Sequence, residues 1–500
     1  MSNTKRIIAV LLCVAMAITC FSACGKNKKS ESSEISGGSS DINTSETLSG
    51  GEGSEDTSSD SNIIRPSGNN SSSNGNGADN INSENNQSVP ENVKPIEIKS
   101  DVQEEKFKNL KGTKINIISD NSNPYEAQTI AEFKQRYDID VEVTRLGWAS
   151  FCSQLASMVA SGNSPDVACM TDATFLSWGY GNLAQPLNKY LDMDSPTWNE
   201  NDMKQFQIGN KYYGIPTYEY NGFMIYYNKT LLKERKIPDL YNDYYLKGEW
   251  TFAKMREVAK QLTIKNGDTV TTYGFATWYF PVFVLAAGGS ILKPKGNTYV
   301  SDLNNKATID GINMIGGLYK DGSMKHDMSG FTEFGKRGVA MVAERPLNLI
   351  GNFDYYNTMK DEIGVVPFPK VDKNSKEYAP ALMTAYFVPN KAKNPMGGVA
   401  WMYYNIRRQI DGEANGEATI LEQRRRIVSD EHKKIFDAYF SKTPKVTTKL
   451  EGLTGWGDTL RGQFWGDIFT ESPSNSKSAE EAIAGMESII NAQLKITIGG

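Results

Sequence analysis

Polar and apolar positions alternate over GTKINIIS, 112–119, which predicts a strand. Asn123-Pro124 then supplies a helix start, with Ala127, Ile130, Ala131, Phe133 and Tyr137 on one apolar face. Val141-Glu142-Val143 predicts a second strand. Ser150 is placed to cap a second helix facing inward through Leu155, Met158 and Val159, and a third strand starts at Pro165-Asp166-Val167-Ala168. A βαβαβ rhythm of this kind predicts a parallel sheet with helices on both faces. Ligands of such sheets bind beyond the carboxyl ends of the strands, which puts Asp120–Asn123, Gly147-Trp148 and Met170–Thr174 at a cleft edge.

Further on, Lys211–Pro238 turns at Gly214 and Pro216, passes the cluster Tyr218-Glu219-Tyr220, and runs apolar from Phe223 to Tyr227. It reads as a buried strand handing over to a helix after Asn228-Lys229-Thr230. Thr251 caps a helix whose Met255, Val258, Ala259 and Leu262 point inward. Tyr273-Gly274-Phe275 opens a strand, and Ser478 with Glu481 forms a capping box for a terminal helix.

The first hundred residues follow a different pattern. Lys5 and Arg6 precede a short apolar run, Ile7–Thr19, the layout of a signal peptide over 1–23. Phe21-Ser22-Ala23-Cys24-Gly25 resembles a bacterial lipobox, which implies a lipid on Cys24; simple cleavage and secretion is the plainer reading, and Cys13 and Cys20 leave with the signal in either case. Residues 24–105 are rich in Ser, Asn, Gly and Glu, too polar to bury a core, and predict a disordered tether. A tether of this length reaches roughly 50 Å.

About 400 residues remain, enough for two lobes around separate cores. The net charge of −5, from 54 basic and 59 acidic residues, carries no basic stripe and argues against nucleic acid as a partner. Only Cys152 and Cys169 lie in the folded part, where a disulfide and two free thiols both stay open. The two histidines, His326 and His432, lie far apart, and no HExxH, CxxC, GxSxG or P-loop occurs. A zinc site or a His-based triad is therefore disfavoured, and no cofactor is implied.

Gly214-Ile215-Pro216 and Tyr227-Asn228-Lys229 resemble the hinge-crossing signature of family 1 extracellular solute-binding proteins, the family of maltose-binding protein. Further segments resemble that family in its order: Ser161–Val167, Gly181–Leu187, Trp250-Thr251, Phe334–Met341, Ile363–Pro369, Ala385–Pro389 and Asn394-Pro395. The resemblance implies an α/β, periplasmic-binding-protein-like fold with two lobes, each on a central, mostly parallel sheet flanked by helices and joined by hinge crossings. Lobe 1 is then 112–220 plus 363–410, and lobe 2 is 221–362 plus 411–500. It also implies a monomeric, lipid-anchored receptor on the outer face of the cell membrane that passes its ligand to the permease of an ABC importer.

A sugar presents flat apolar faces rimmed by hydroxyls, so its site needs aromatic platforms and planar polar partners. The candidates for platforms are Trp278, Trp456, Trp148, Tyr220, Tyr279 and Tyr386, and for hydroxyl partners Asp172, Glu219, Asn221 and Arg345. The resemblance implies stacking by Trp278 and Trp456. For each aromatic, packing in the core or rim is the alternative, and for Arg345 an ion pair between lobes. Trp250, Trp401 and Trp465 read as packing, and Asp166 as the fastening of a turn. A mono- or oligosaccharide is the expected ligand. Alternatives are a peptide, a polyol or a phosphodiester, or an exported glycoside hydrolase with Asp172 and Glu219 as its acid pair.

Overall fold

The structure is a computed structural model that describes residues 102–119, 126–147, 150–195, 198–217, 222–325, 330–346, 359–414, 429–453, 456, 460–470 and 473–499. Cys24 and residues 24–101 of the tether lie outside the described residues, as do Asn123-Pro124, Trp148, Glu219, Tyr220 and Asn221; the last tether residues, 102–105, pack on the first lobe, with Gln103 buried and Glu104 paired to Arg136.

The first lobe begins β1 (Thr113–Ser119), α1 (Glu126–Tyr137), β2 (Ile139–Arg145), α2 (Phe151–Ser161) and β3 (Val167–Thr171), the predicted alternation. β4 (Ile215–Pro216) then leads out of this lobe toward β5 (Met224–Asn228), α3 (Lys229–Glu234) and α4 (Phe252–Leu262). The second lobe continues with α5 (Val282–Ala286), the hairpin β6 (Leu292–Lys295) and β7 (Thr298–Ser301), α6 (Lys306–Lys320), β8 (Met341–Glu344) and β9 (Ile363–Val366). The chain returns through β10 (Ala379–Pro380) to β11 (Thr384–Phe387) and α7 (Pro395–Ala414). It crosses again through α8 (Asp430–Phe440) and β12 (Lys445–Val446), and ends in α9 (Arg461–Ile468) and α10 (Ala479–Ile498).

Two sheets organise these elements. The first has the order β2-β1-β3-β11-β4, with β1 parallel to β2 and β3, and β11 antiparallel to β3 and β4. Side chains alternate across it. Ile115, Ile117 and Val167 join the core under α1 and α7, whereas Ile118, Ala168, Met170 and Phe387 join the core around Trp178. The second sheet has β5 at its centre, antiparallel to β8 and β9. Parallel bridges Tyr273↔Val339 and Ala276↔Val342 extend it on the β8 side. The pairing around β5 is antiparallel, because β8 and β9 flank it as direct partners, and the expected parallel pairing enters through the bridges on the β8 side.

The same pairing moves a boundary. Lobe 1's second segment is expected to open at Ile363, but Ile363–Val366 is a full partner of β5, from Ile363↔Asn228 to Val366↔Ile225. The return to the first lobe comes later, at 379–384. An apolar strand followed by Pro-x-Pro has the local look of a crossing, and only its pairing partner shows which sheet holds it.

Local signals at helix starts mostly hold. Asn228 accepts from Leu231 N–H at 2.9 Å, Thr251 from Lys254 N–H at 3.3 Å, and Ser478 and Glu481 form the capping box. Ser150 does not cap α2; its hydroxyl bonds to Gly147 O and accepts from Gln154 instead. Asp166 fastens its turn as expected, accepting from Asn116 N–H at 3.0 Å and from Asn394 N–H at 2.6 Å. Trp250 donates to Pro367 O, Trp401 packs edge-on to Phe133, and Trp465 stacks on Phe469, all within the cores. Cys152 and Cys169 are both free thiols, and burial pushes the Cys152 thiol up to about 11.

α8 docks on the second sheet through His432, whose Nε2 lies 3.1 Å from Ile363 O. Burial holds this imidazole below its ordinary 6.5, opposed by that carbonyl and by Glu431, while Lys229 adds to the lowering. The folded state thus favours the neutral ring. Its contribution is complete above about pH 6.5 and is lost as pH falls below that value toward the depressed native pKa. Urea midpoints at pH 7.5 and 5 should therefore differ more in the parent than in His432→Gln. An equal difference in both proteins would remove His432 from the acid response.

Candidate functional site

Three chain segments run side by side between the sheets. Thr217 N–H donates to Thr384 O at 2.8 Å, Phe223 N–H to Pro380 O at 2.7 Å, and Ala381 N–H to Val446 O at 2.9 Å. β10 and β12 pair in parallel next to the bridge Gly222↔Ala381. Short bonded strands with loops at both ends are what a bending hinge requires, because φ/ψ changes at a few terminal residues carry the motion.

On the second-lobe side of these crossings stands an aromatic step. The bridge Ala276↔Val342 is parallel, so two residues further on Trp278 lies beside Glu344. Register in the antiparallel pair, Glu344↔Met224, puts both at the start of β5, next to Phe223. Trp278 is 42% exposed, and it is the only tryptophan among the described residues that is not buried. Its indole N–H donates to Glu344 Oε2. Phe223 stacks on Tyr279 with centroids 5.3 Å apart, and the Trp278 ring leans on both, 5.9 Å from Phe223 and 5.4 Å from Tyr279. The result is a rigid apolar face turned to solvent, with a buried carboxylate behind it. Water covers such a face poorly, and the flat side of an apolar or sugar ring covers it well.

The remaining candidates are dispersed. Tyr279 is buried beneath the step and supports it. Arg345 is also buried; its Nη1 donates to Leu382 O at 3.1 Å, so it ties the end of β8 to the second crossing. Trp456 was expected to stack on ligand, but it is 0% exposed within the second-lobe core, beside Phe464, and its Nε1 has no partner among the described residues. Tyr386 lies in β11 and packs on the core under α7. Trp456 thus belongs to packing in this structure, with Phe464 of α9 beside it, whereas Tyr386 is only half-buried.

Asp172 is the largest departure. Its carboxylate is fully buried, accepting from Met383 N–H at 2.9 Å and from Lys449 Nζ at 2.6 Å. The ammonium, also buried, bonds Thr447 Oγ1 at 3.1 Å and lies 5.3 Å from the Phe206 ring centroid. Both carboxylate oxygens of Asp172 are therefore engaged away from solvent, and the pair clamps the end of β3 to the segment after β12. Burial pulls the Lys449 pKa down, and Asp172 opposes that shift.

Residues that sequence reading passed over include Glu344, Phe223 and Lys449. Glu344 had a usable signal: a charged residue ending the apolar run Ala340-Met341-Val342-Ala343 needs a buried partner. Nothing in the neighbourhood of Lys449 marks it. Among the described residues no group of three or more His, Cys, Asp or Glu is placed to hold a metal, and no helix is long and apolar enough to cross a membrane.

Residues 119–404 match the model of the bacterial extracellular solute-binding protein family, more than half of the chain and most of both sheets. The chain belongs to that family. Among curated proteins, this solute-binding protein is 22% identical over 284 residues to a galactooligosaccharide-binding protein of Bacillus subtilis, a match covering 53% of this chain and 62% of that relative's length. Among solved structures, it resembles the ABC substrate-binding protein Lmo0181 from Listeria monocytogenes in complex with cycloalternan, with a TM-score of 0.60, 16% identity, and coverage of 76% of this chain and 99% of the other. It also resembles UgpB from Mycobacterium tuberculosis in complex with glycerophosphocholine, with a TM-score of 0.61, 14% identity, and coverage of 77% and 99%. These likenesses establish the two-lobe α/β fold of periplasmic-binding proteins.

Proposed function

We propose that this solute-binding protein takes up a carbohydrate between its lobes and delivers it to the permease of an ABC importer, held at the outer face of the membrane by a lipid on Cys24. The observation that carries the reading is Trp278: an exposed indole, locked from behind by a buried carboxylate, at the edge of the hinge. Names of relatives support the ligand class, since one is a galactooligosaccharide-binding protein and another holds cycloalternan. The lobes are 112–217 plus about 379–414, and 222–366 plus about 429–499, with three crossings between them. Ligand that prefers the closed arrangement shifts the population of lobe angles by its differential affinity, which is the signal a permease can read.

The glycerophosphocholine complex of UgpB favours a second reading within the binding class, a phosphodiester or polyol ligand. Arg345, the one described cation among the candidates, points its Nη1 at Leu382 O, which weakens the phosphodiester form. The hydrolase reading loses support because Asp172 is held by Lys449.

Thermal unfolding of the purified chain with galactooligosaccharides, cycloalternan, polyols, glycerophosphocholine and peptides tests the reading. A ligand at about 100 times its dissociation constant adds about 2.7 kcal/mol to stability. A rise in Tm with a sugar that is recovered intact supports a carbohydrate receptor. A rise with glycerophosphocholine alone moves the protein to the second reading, and release of reducing ends would make it an enzyme.

A further inference from the structure

We infer that Glu344 is the positioning residue of the binding platform: it sets the plane of the Trp278 indole and ties that plane to the hinge. The inference rests on the reading of Trp278 as ligand contact, and extends it to the regulation of the same site.

Glu344 ends β8, whose four residues are all buried, and its side chain is itself 0% exposed. A carboxylate taken fully out of water persists only where strong donors meet it. Its two oxygens face different structures. Oε2 accepts the indole N–H of Trp278, and Oε1 accepts the backbone N–H of Arg345 at 2.8 Å. Arg345 then donates from Nη1 to Leu382 O in the second crossing. On its other side the Trp278 ring leans on Phe223, whose N–H donates to Pro380 O in the same crossing.

Those ring contacts are inclined, 51° to Phe223 and 50° to Tyr279, so neither lies flat against the indole and fixes its rotation. The bond from Nε1 to a buried carboxylate does fix it, because a charge-assisted hydrogen bond is directional and strong in a low dielectric. The negative charge also pushes electron density into the indole, which strengthens its attraction for the C–H faces of a sugar ring. The platform is thus joined to the crossings at two points, through Glu344–Arg345–Leu382 and through Phe223. A change in the angle between the lobes shifts Leu382 and Pro380 relative to β8, and with them the plane on which the ligand rests. Ligand that fits one plane favours one lobe angle.

The test uses the full chain and its own fluorescence. Trp278 is the exposed tryptophan of the described set, so the acrylamide-quenching difference between the parent and Trp278→Phe reports this ring. Glu344→Ala and Glu344→Gln are made in both backgrounds, and binding is measured with galactooligosaccharides and cycloalternan. In Glu344→Ala, the Trp278 component should move to longer wavelength, quench more readily, and bind the sugar about tenfold more weakly, the fold-change of one lost charge-assisted hydrogen bond. Glu344→Gln keeps one acceptor oxygen for these two donors and should restore the quenching and affinity only in part, leaving both between those of Glu344→Ala and the parent. Should Glu344→Ala destabilise the fold too far to measure, Glu344→Gln against Glu344→Met carries the comparison. Parent-like quenching and affinity in Glu344→Ala would overturn the inference and leave Glu344 a structural carboxylate. Unchanged sugar affinity in Trp278→Phe and Trp278→Ala would instead remove Trp278 from the site, while the quenching series still decides whether Glu344 orients the ring.

Discussion

Trp278→Ala lowers affinity for the bound sugar by roughly thirty- to a hundredfold while the protein stays folded. A tryptophan of which 42% remains exposed offers a ligand on the order of 100 Å² of apolar surface. At about 25 cal/mol per Å², covering that surface is worth about 2.5 kcal/mol, which is about a seventyfold change in dissociation constant. The estimate sits in the range of a binding hot spot, where one rigid aromatic outweighs many rim contacts. Trp278→Phe keeps an aromatic face but loses the bond to Glu344, so its affinity should fall between those of the parent and Trp278→Ala. Isothermal titration with the sugar found in the unfolding panel gives the number, and circular dichroism confirms the fold. Affinity within twofold of the parent would take Trp278 out of the site, and with it the carbohydrate reading's main support.

The largest effect on stability is expected at Lys449. Lys449→Met leaves the Asp172 carboxylate buried with Met383 N–H but without its cation, and removal of one partner of a buried pair costs about 3–5 kcal/mol. The double variant Asp172→Leu with Lys449→Met should recover a good part of that loss, since a buried pair replaced by apolar groups of similar volume is often near neutral. Recovery is incomplete, because Met383 N–H then lacks its side-chain acceptor. Urea unfolding of the four proteins of this cycle measures the coupling directly. A Lys449→Met loss under about 1 kcal/mol would place the pair among weak surface bridges in spite of its burial. Since Lys449 follows β12 and Asp172 follows β3, the single variant should also loosen the third crossing against the first lobe, seen as faster amide exchange in 445–449.

The family and the course of its chain are readable before any coordinate. Gly214-Ile215-Pro216 and Tyr227-Asn228-Lys229 are short, contiguous signals, and the strand between them and the helix after it appear as β5 and α3, whereas Ile215–Pro216 is the strand β4 where a turn is expected. The alternation of 112–171 predicts β1 to β3 in the same way, because strand and helix periods are set by local backbone geometry and by which face meets the core. The exposed Trp278 was also within reach, as a tryptophan at a loop-to-helix turn.

Where neighbours are remote in sequence, the chain alone is silent. Trp278 meets Glu344 across 66 positions, and Lys449 meets Asp172 across 277. Whether Asp172 greets a ligand or an ammonium depends on which segment lies over the end of β3. That is decided by the third crossing, not by the residues around Asp172. Trp456 is buried in the second-lobe core beside Phe464 of α9, so its exposure is a property of packing. β9 joined the second sheet for the same reason, since an apolar strand of four residues fits either sheet until a partner is chosen. Period and capping residues determined β1 to β3, the strand β5 and the starts of α4 and α10, but not the cap of α2. Sheet pairing and the three crossings determined which charges met, which rings stayed in water and where a site could stand, because those outcomes rest on contacts between segments that share no local signal.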